Sequence, residues 1–177
     1  MFDELEGRIR LIVDAGPARH GIESTIAAVR DGKIEILRRG PITEEQLSIF
    51  GAKIDIVTPS ETISAPGQLA THYAPKTPLR LIANAKSFSA SQNDRVALLA
   101  WNPIESAKDY IAIRRLSEQG DLREAAANLF HYLRELDAED VDLIVAEQVP
   151  ETGLGAAIMD RLRRASHRPS DRQGRPE

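Results

Sequence analysis

The spacing of apolar residues changes character twice along this chain. Residues 8–14, RIRLIVD, form a β-branched apolar run closed by Ala15-Gly16-Pro17, which predicts a strand. Residues 22–30 and 33–38 predict two more, joined by Asp31-Gly32. Asp-Gly between two such runs is a strong hairpin signal, because a type I′ turn needs positive φ at both central positions. Ile34 and Ile36 alternate with Lys33 and Glu35, so one face of that strand is expected to be buried. Residues 8–38 thus predict three strands of a mixed or antiparallel sheet, too little to bury a sufficient core alone. Thr43-Glu44-Glu45-Gln46 is a capping box that opens a short helix to about Phe50, with Gly51 as its stop.

Residues 58–78, TPSETISAPGQLATHYAPKTP, carry four prolines and no period. A stretch of this length without structure is usually a functional lid or a linker, and it is read here as the boundary between two units. Beyond it, residues 79–83, 96–100, 111–116 and 143–147 are short continuous apolar runs. Between the last two, residues 121–136 place Leu122, Ala125, Ala126, Leu129, Phe130, Leu133 and Leu136 at helical spacing, with Asp121 as cap and Glu124 in support. A final helix over residues 155–166 has Leu154, Ile158, Leu162 and Ala165 on one stripe. Continuous apolar strands alternating with helices predict an α/β fold, a three-layer Rossmann-like domain with a mostly parallel sheet.

Composition narrows the function classes. The longest apolar run is six residues, 96–101, against about 20 needed to span a membrane. There are no cysteines, which removes disulfides and thiolate chemistry and is compatible with a cytoplasmic address. The net charge of −4 divides into +4 for residues 161–177, which hold six arginines, and −8 for the rest. The body lacks the dominant basic face of a nucleic-acid binder. The arginine-rich end is expected to be a solvated, frayed terminus, with weak tRNA attraction as the alternative.

Several residue groups could carry chemistry. Gly153 and Gly155 lie between a strand and a helix, where phosphate can bind, but the third glycine of the dinucleotide fingerprint is missing. The plainer reading is a tight turn that lets the last helix pack. His20, His72, His131 and His167 show no metal-ligand spacing. Ser24 and Thr25 offer hydroxyls on a strand. Arg38, beside Arg39 and Gly40 at the end of the hairpin, suits phosphate through its forked donors. His72-Tyr73, stiffened by Pro66 and Pro75, fits either a lid over a ligand or a pin that fixes the linker to a domain surface.

Five separated segments, taken in order, resemble a known family. They are Gly21-Ile22-Glu23-Ser24-Thr25-Ile26; Leu37-Arg38-Arg39-Gly40-Pro41-Ile42-Thr43; Ala65-Pro66-Gly67-Gln68-Leu69-Ala70-Thr71-His72-Tyr73-Ala74-Pro75; Asn128-Leu129-Phe130 with Leu133-Arg134 and Leu136-Asp137; and Gly153-Leu154-Gly155-Ala156-Ala157-Ile158-Met159 with Arg161-Leu162. The chain resembles the two-domain threonylcarbamoyl-AMP synthases, which join a YrdC-like catalytic domain to a smaller Rossmann-like domain. The resemblance implies a YrdC-like remnant over residues 1–50, a lid or linker over 51–78 and a Rossmann-like domain over 79–166, while the composition of 167–177 predicts a disordered basic tail.

It also implies a cytoplasmic nucleotidyltransferase reaction in tRNA modification. L-threonine, bicarbonate and ATP, with Mg2+ accompanying the ATP, give threonylcarbamoyl-AMP and pyrophosphate. A downstream complex then transfers the threonylcarbamoyl group to tRNA. In this sequence Ser24 matches the family's threonine-contacting serine, Arg38 the arginine on the ATP phosphates, and Tyr73 the linker tyrosine that reaches the nucleotide, with His72 as its neighbour in the lid. Two departures stand out. Arg39 occupies a position that is often proline in the family. The family's Lys-x-Arg and Ser-x-Asn motifs, from the first part of the YrdC-like domain, are not found in a suitable place. The chain is therefore expected to be a C-terminal portion that is inactive alone. The rival expectation is a non-enzymatic nucleotide-binding or regulatory Rossmann-like module.

Overall fold

The hairpin forms as its turn residues demand. Strands β1 (Ile26–Arg30) and β2 (Lys33–Arg38) pair antiparallel, and Asp31 and Gly32 take φ of 49° and 71°. The computed structural model describes residues 6–14, 16, 18–51, 53–56, 73–91, 94–104 and 106–167. Ile34 and Ile36 are buried, as their alternation predicts. The register shifts between Ile26 and Ala27, so that Ile26 faces Arg38 while Ala27 faces Ile36. Leu37 is thereby an extra residue, and such a bulge bends the strand and re-aims its last side chains.

The first sheet does hold three strands, but the third is not the segment 8–14. That segment is irregular, with Leu11 77% and Val13 83% exposed. A β-branched run becomes a strand only against a partner, and no described strand runs beside it. The third strand is β3 (Lys53–Ile56), parallel to β2 and reached through helix α1 (Glu44–Ser48). Both bonds of the α1 capping box are present, Gln46 N–H donating to Thr43 Oγ1 at 3.4 Å and Thr43 N–H to Gln46 Oε1 at 2.9 Å.

The second sheet is built from β4 (Leu79–Ile82), β5 (Val96–Ala100), β6 (Ala112–Arg115) and β7 (Leu143–Glu147), all parallel, in the order β4-β7-β5-β6. All five residues of β5 are wholly buried, which explains its unbroken apolar run. Helices α2 (Leu122–Ala138) and α3 (Leu154–Ala165) cover one face, where Leu99, Leu129, Leu136, Ile158 and Leu162 form the main core. On the other face a 3-10 turn, Ala85–Ser87, and loops carrying Phe88 and Tyr110 pack on Val96, Leu98 and Val145.

Asp121 caps α2, accepting from Arg123 N–H at 2.7 Å. Glu124 acts one step further out than expected. It accepts from the Ser117 hydroxyl, whose oxygen in turn accepts from Asp121 N–H. The glycine-rich turn before α3 follows the packing alternative. A Cβ on Gly155 would lie 1.7 Å from the Pro150 carbonyl oxygen, so the helix starts in contact with the preceding loop.

The segment before β1 joins the core of the second sheet. Ile22 is buried in the main cluster with α2 and α3 residues. Gly21, at φ +62°, lies so close to α2 that a Cβ would sit 2.4 Å from Ala126 O and Ala127 Cα. Glycine is required there on both counts, conformation and space.

Candidate functional site

Ser24 and Arg38 meet in the structure. Ser24 precedes β1, Arg38 ends β2, and the β2 bulge turns the arginine back across the hairpin. Its Nε–H donates to the Ser24 carbonyl at 3.0 Å and its Nη2 to the Ser24 hydroxyl at 3.1 Å. Gly40 makes the approach possible, since a Cβ there would lie 2.3 Å from Thr25 N and 2.5 Å from Glu23 O. Thr25 closes the same corner, donating its hydroxyl to Ile42 O at 2.7 Å and accepting from Ile42 N–H at 3.1 Å.

Tyr73 joins this group from the end of the linker. Its ring stacks on Phe130 of α2 at 5.4 Å between centroids, and the Arg161 guanidinium lies 5.1 Å above it. Asp137, the next-to-last residue of α2, accepts from Lys76 N–H at 3.1 Å and Thr77 N–H at 2.8 Å. These contacts pin the linker end to α2. They also line a cleft of about 400 Å³ bounded by Glu23, Tyr73, Phe130, Leu133 and Asp137. His72 lies outside the described residues, as does most of the proline-rich stretch.

Charge in this corner is closely balanced. Burial pushes the Tyr73 phenol up to about 12, with Glu23 adding to the rise and Arg161 and Arg38 opposing it. Tyr73 is thus a neutral phenol at pH 7. Burial also pulls the Glu23 carboxyl upward. Hydrogen bonding at the carboxylate and the Arg161 charge outweigh that pull and hold it below its ordinary 4.5.

Sequence reasoning missed Arg161. Its place in the arginine-rich end predicts a solvated side chain, yet it is 1% exposed. Its Nε–H donates to Glu23 Oε2 at 3.0 Å, Nη2 to the Arg39 carbonyl at 2.8 Å and Nη1 to Asp160 Oδ2 at 2.5 Å. A buried guanidinium requires such pairing, since an unpaired charge in the interior is strongly unfavourable. Arg163 pairs with Glu151 and Arg164 with Asp160, so three of the terminal arginines are engaged within the fold. The signal was present. Arg161 stands three residues after Ile158 and seven after Leu154, on the apolar stripe of the helix.

At the carboxyl end of the parallel sheet, β5 and β7 lie side by side and the connections that leave them run on opposite faces. Open α/β sheets bind ligands at this switch point. Here Glu147, 1% exposed, fills it. Its carboxylate accepts from Ala85 N–H at 2.6 Å and from Trp101 and Asn102 N–H at 2.7 Å each. The backbone donors that could hold a phosphate are taken by the protein's own anion. At the start of α3, Gly153 N–H likewise donates to Glu45 Oε1 at 3.3 Å.

The family model for the threonylcarbamoyl-AMP synthase C-terminal domain matches residues 42–167. This chain belongs to that family. The threonylcarbamoyl-AMP synthase of Bacillus subtilis (strain 168) is 35% identical over 176 residues, covering 92% of this chain and 50% of the relative. That of Pyrococcus abyssi (strain GE5 / Orsay) is 30% identical, covering 93% and 51%. The crystal structure of P. abyssi Sua5 complexed with L-threonine superposes with a TM-score of 0.79 at 28% identity, covering 93% of this chain and 52% of that one. The chain spans about half the length of the relatives it matches. The threonylcarbamoyl-AMP synthase C-terminal model begins after Ser24 and Arg38, whereas the matches to whole synthases leave too little of the chain uncovered to exclude the hairpin.

Among the described residues, no group of three His, Asp or Glu side chains is placed to hold a metal ion. No described helix is long and apolar enough to cross a membrane.

Proposed function

We propose that this chain is the C-terminal portion of a threonylcarbamoyl-AMP synthase and supplies one wall of its substrate site. The observation that carries the reading is the Arg38–Ser24 pair. A hydroxyl just before β1 and a guanidinium at the end of β2 are bonded to each other, and a neutral tyrosine at the linker end meets Glu23, the residue before Ser24.

On this reading Ser24 contacts L-threonine, whose amine combines with bicarbonate. Arg38 contacts the ATP phosphates, where its positive fork offsets the charge that develops as pyrophosphate leaves. Tyr73 reaches the nucleotide as an uncharged donor, with His72 beside it in the lid. The product is a labile mixed anhydride, and a closing linker would shield it from water. Any Mg2+ would arrive with the ATP phosphates as part of the substrate. A cytoplasmic address and a downstream complex that transfers the threonylcarbamoyl group to tRNA complete the reading.

The rival, a nucleotide-binding Rossmann-like module, is not favoured by the geometry. Glu147 already holds the amides at the switch point, and Gly155 is packed against Pro150.

Pyrophosphate release with L-threonine, bicarbonate and ATP tests the proposal. This chain alone is expected to give no turnover. Mixed with the other half of the B. subtilis relative as a separate polypeptide, it is expected to give threonine-dependent release that Arg38→Ala lowers about a hundredfold or more. Turnover by the chain alone, or release in the mixture unaffected by Arg38→Ala, would contradict it.

A further inference from the structure

Arg161 is buried and bonded through all three guanidinium nitrogens, and nothing in the substrate reading uses it. Its partners are not scattered. Glu23 immediately precedes Ser24, and Arg39 immediately follows Arg38. The third group in contact is the face of the Tyr73 ring. Arg38 then bonds Ser24. The connections form a closed ring that runs from Arg161 to Glu23, Ser24, Arg38, Arg39 and back to Arg161.

We propose that Arg161, on the last helix of the Rossmann-like domain, is the positioning residue that sets the Ser24–Arg38 pair and Tyr73 for substrate. This rests on the reading of Ser24, Arg38 and Tyr73 given under Proposed function. The second domain would then act on the site without touching substrate. It holds the Glu23 carboxylate on one side of the hairpin mouth, the Arg39 backbone on the other and the ring at the linker end through one planar group.

The guanidinium suits the task better than an ammonium. A planar fork can donate in its plane to Glu23 and Arg39 while presenting its face to an aromatic ring. Asp160 balances the charge and holds the fork from behind. Lysine could keep the ion pair with Glu23, but it has no second in-plane donor for the Arg39 carbonyl.

The test compares Arg161→Lys with Ile158→Val, which trims the core on the same helix without touching the ring. Two quantities are read by NMR on the nitrogen-15-labelled chain: exchange of the Arg38 Nε–H with solvent in the chain alone, and, after mixing with the unlabelled other half of the B. subtilis relative, the L-threonine concentration that half-saturates the shift of the Ser24 amide. Thermal melts confirm that each variant is folded.

Arg161→Lys is expected to speed Arg38 Nε–H exchange about tenfold, as expected when a local opening becomes easier. It is expected to raise the half-saturating threonine concentration in the same direction, while Ile158→Val changes neither. Unchanged Arg38 exchange in Arg161→Lys would overturn the proposal. So would equal acceleration in Ile158→Val, because Arg161 would then act only through general stability. The exchange measurement needs no substrate. A wild-type mixture that ignores threonine would count against the substrate reading, and Arg38 exchange would still decide what Arg161 does.

Discussion

At Glu23 an ion pair, a burial cost and a phenol contact meet on one carboxylate, which makes its protonation a sensitive report on the corner. Its pKa lies below 4.5 in the folded protein. A carboxyl of this kind contributes stability that is present above the unfolded value and is lost as pH falls through the folded one. Glu151, bonded to Arg163, and Glu45, bonded to Thr43 and Gly153, shift the same way. The melting temperature is therefore expected to fall as pH is lowered from about 4.5 through the folded values. Glu23→Gln is expected to make that fall shallower in a calorimetric pH series. A slope identical to wild type would show that Glu23 does not feel Arg161. The sequence could not reveal this corner. Glu23 and Arg161 are 138 residues apart, and only folding places them 3.0 Å from each other.

At the level of elements, local chemistry decided most of what was legible. Asp31-Gly32 specified its turn, Thr43 and Gln46 their box, and the unbroken apolar runs their parallel strands. In each case the information lies within a few residues of the feature. Residues 8–14 show the limit of such reasoning. Their side chains favour a strand, but pairing is a property of two segments, and β3 from beyond α1 takes the place beside β2.

The same locality makes two substitutions informative. Thr43→Ala removes the cap acceptor and is expected to cost about 1 kcal/mol in a denaturant melt. Gly155→Ala places a Cβ 1.7 Å from backbone oxygen, so α3 must move away from Pro150. Its expected cost is about 1–3 kcal/mol or more. Because Arg161 rides on α3, it is also expected to disturb the Ser24 and Arg38 signals. Loss of stability without that disturbance would separate α3 from the site.

Across the molecule, the four-stranded parallel sheet supplies the base, and the proposed substrate corner lies away from its carboxyl end. The end of the sheet where such folds bind ligands is closed by Glu147. Glu147→Ala would orphan three backbone donors, at about 1–3 kcal/mol each, and is expected to lower stability sharply without weakening threonine binding in whatever fraction stays folded. Sequence patterns located this sheet and the candidate residues Ser24, Arg38 and Tyr73. They could not show that the first two bond each other, that the third is held by Phe130 and Arg161, or that the familiar ligand site is filled from within.

The central claim is that the substrate corner lies at the hairpin mouth. It is tested most directly by mixing the nitrogen-15-labelled chain with the unlabelled other half of the B. subtilis relative, titrating with L-threonine and following backbone amides and the Arg38 Nε–H. The account predicts saturable shifts at Ser24, Thr25 and Arg38, with the amides of Ala85, Trp101 and Asn102 around Glu147 unmoved. Saturable shifts around Glu147 with Ser24 and Arg38 unmoved would contradict it.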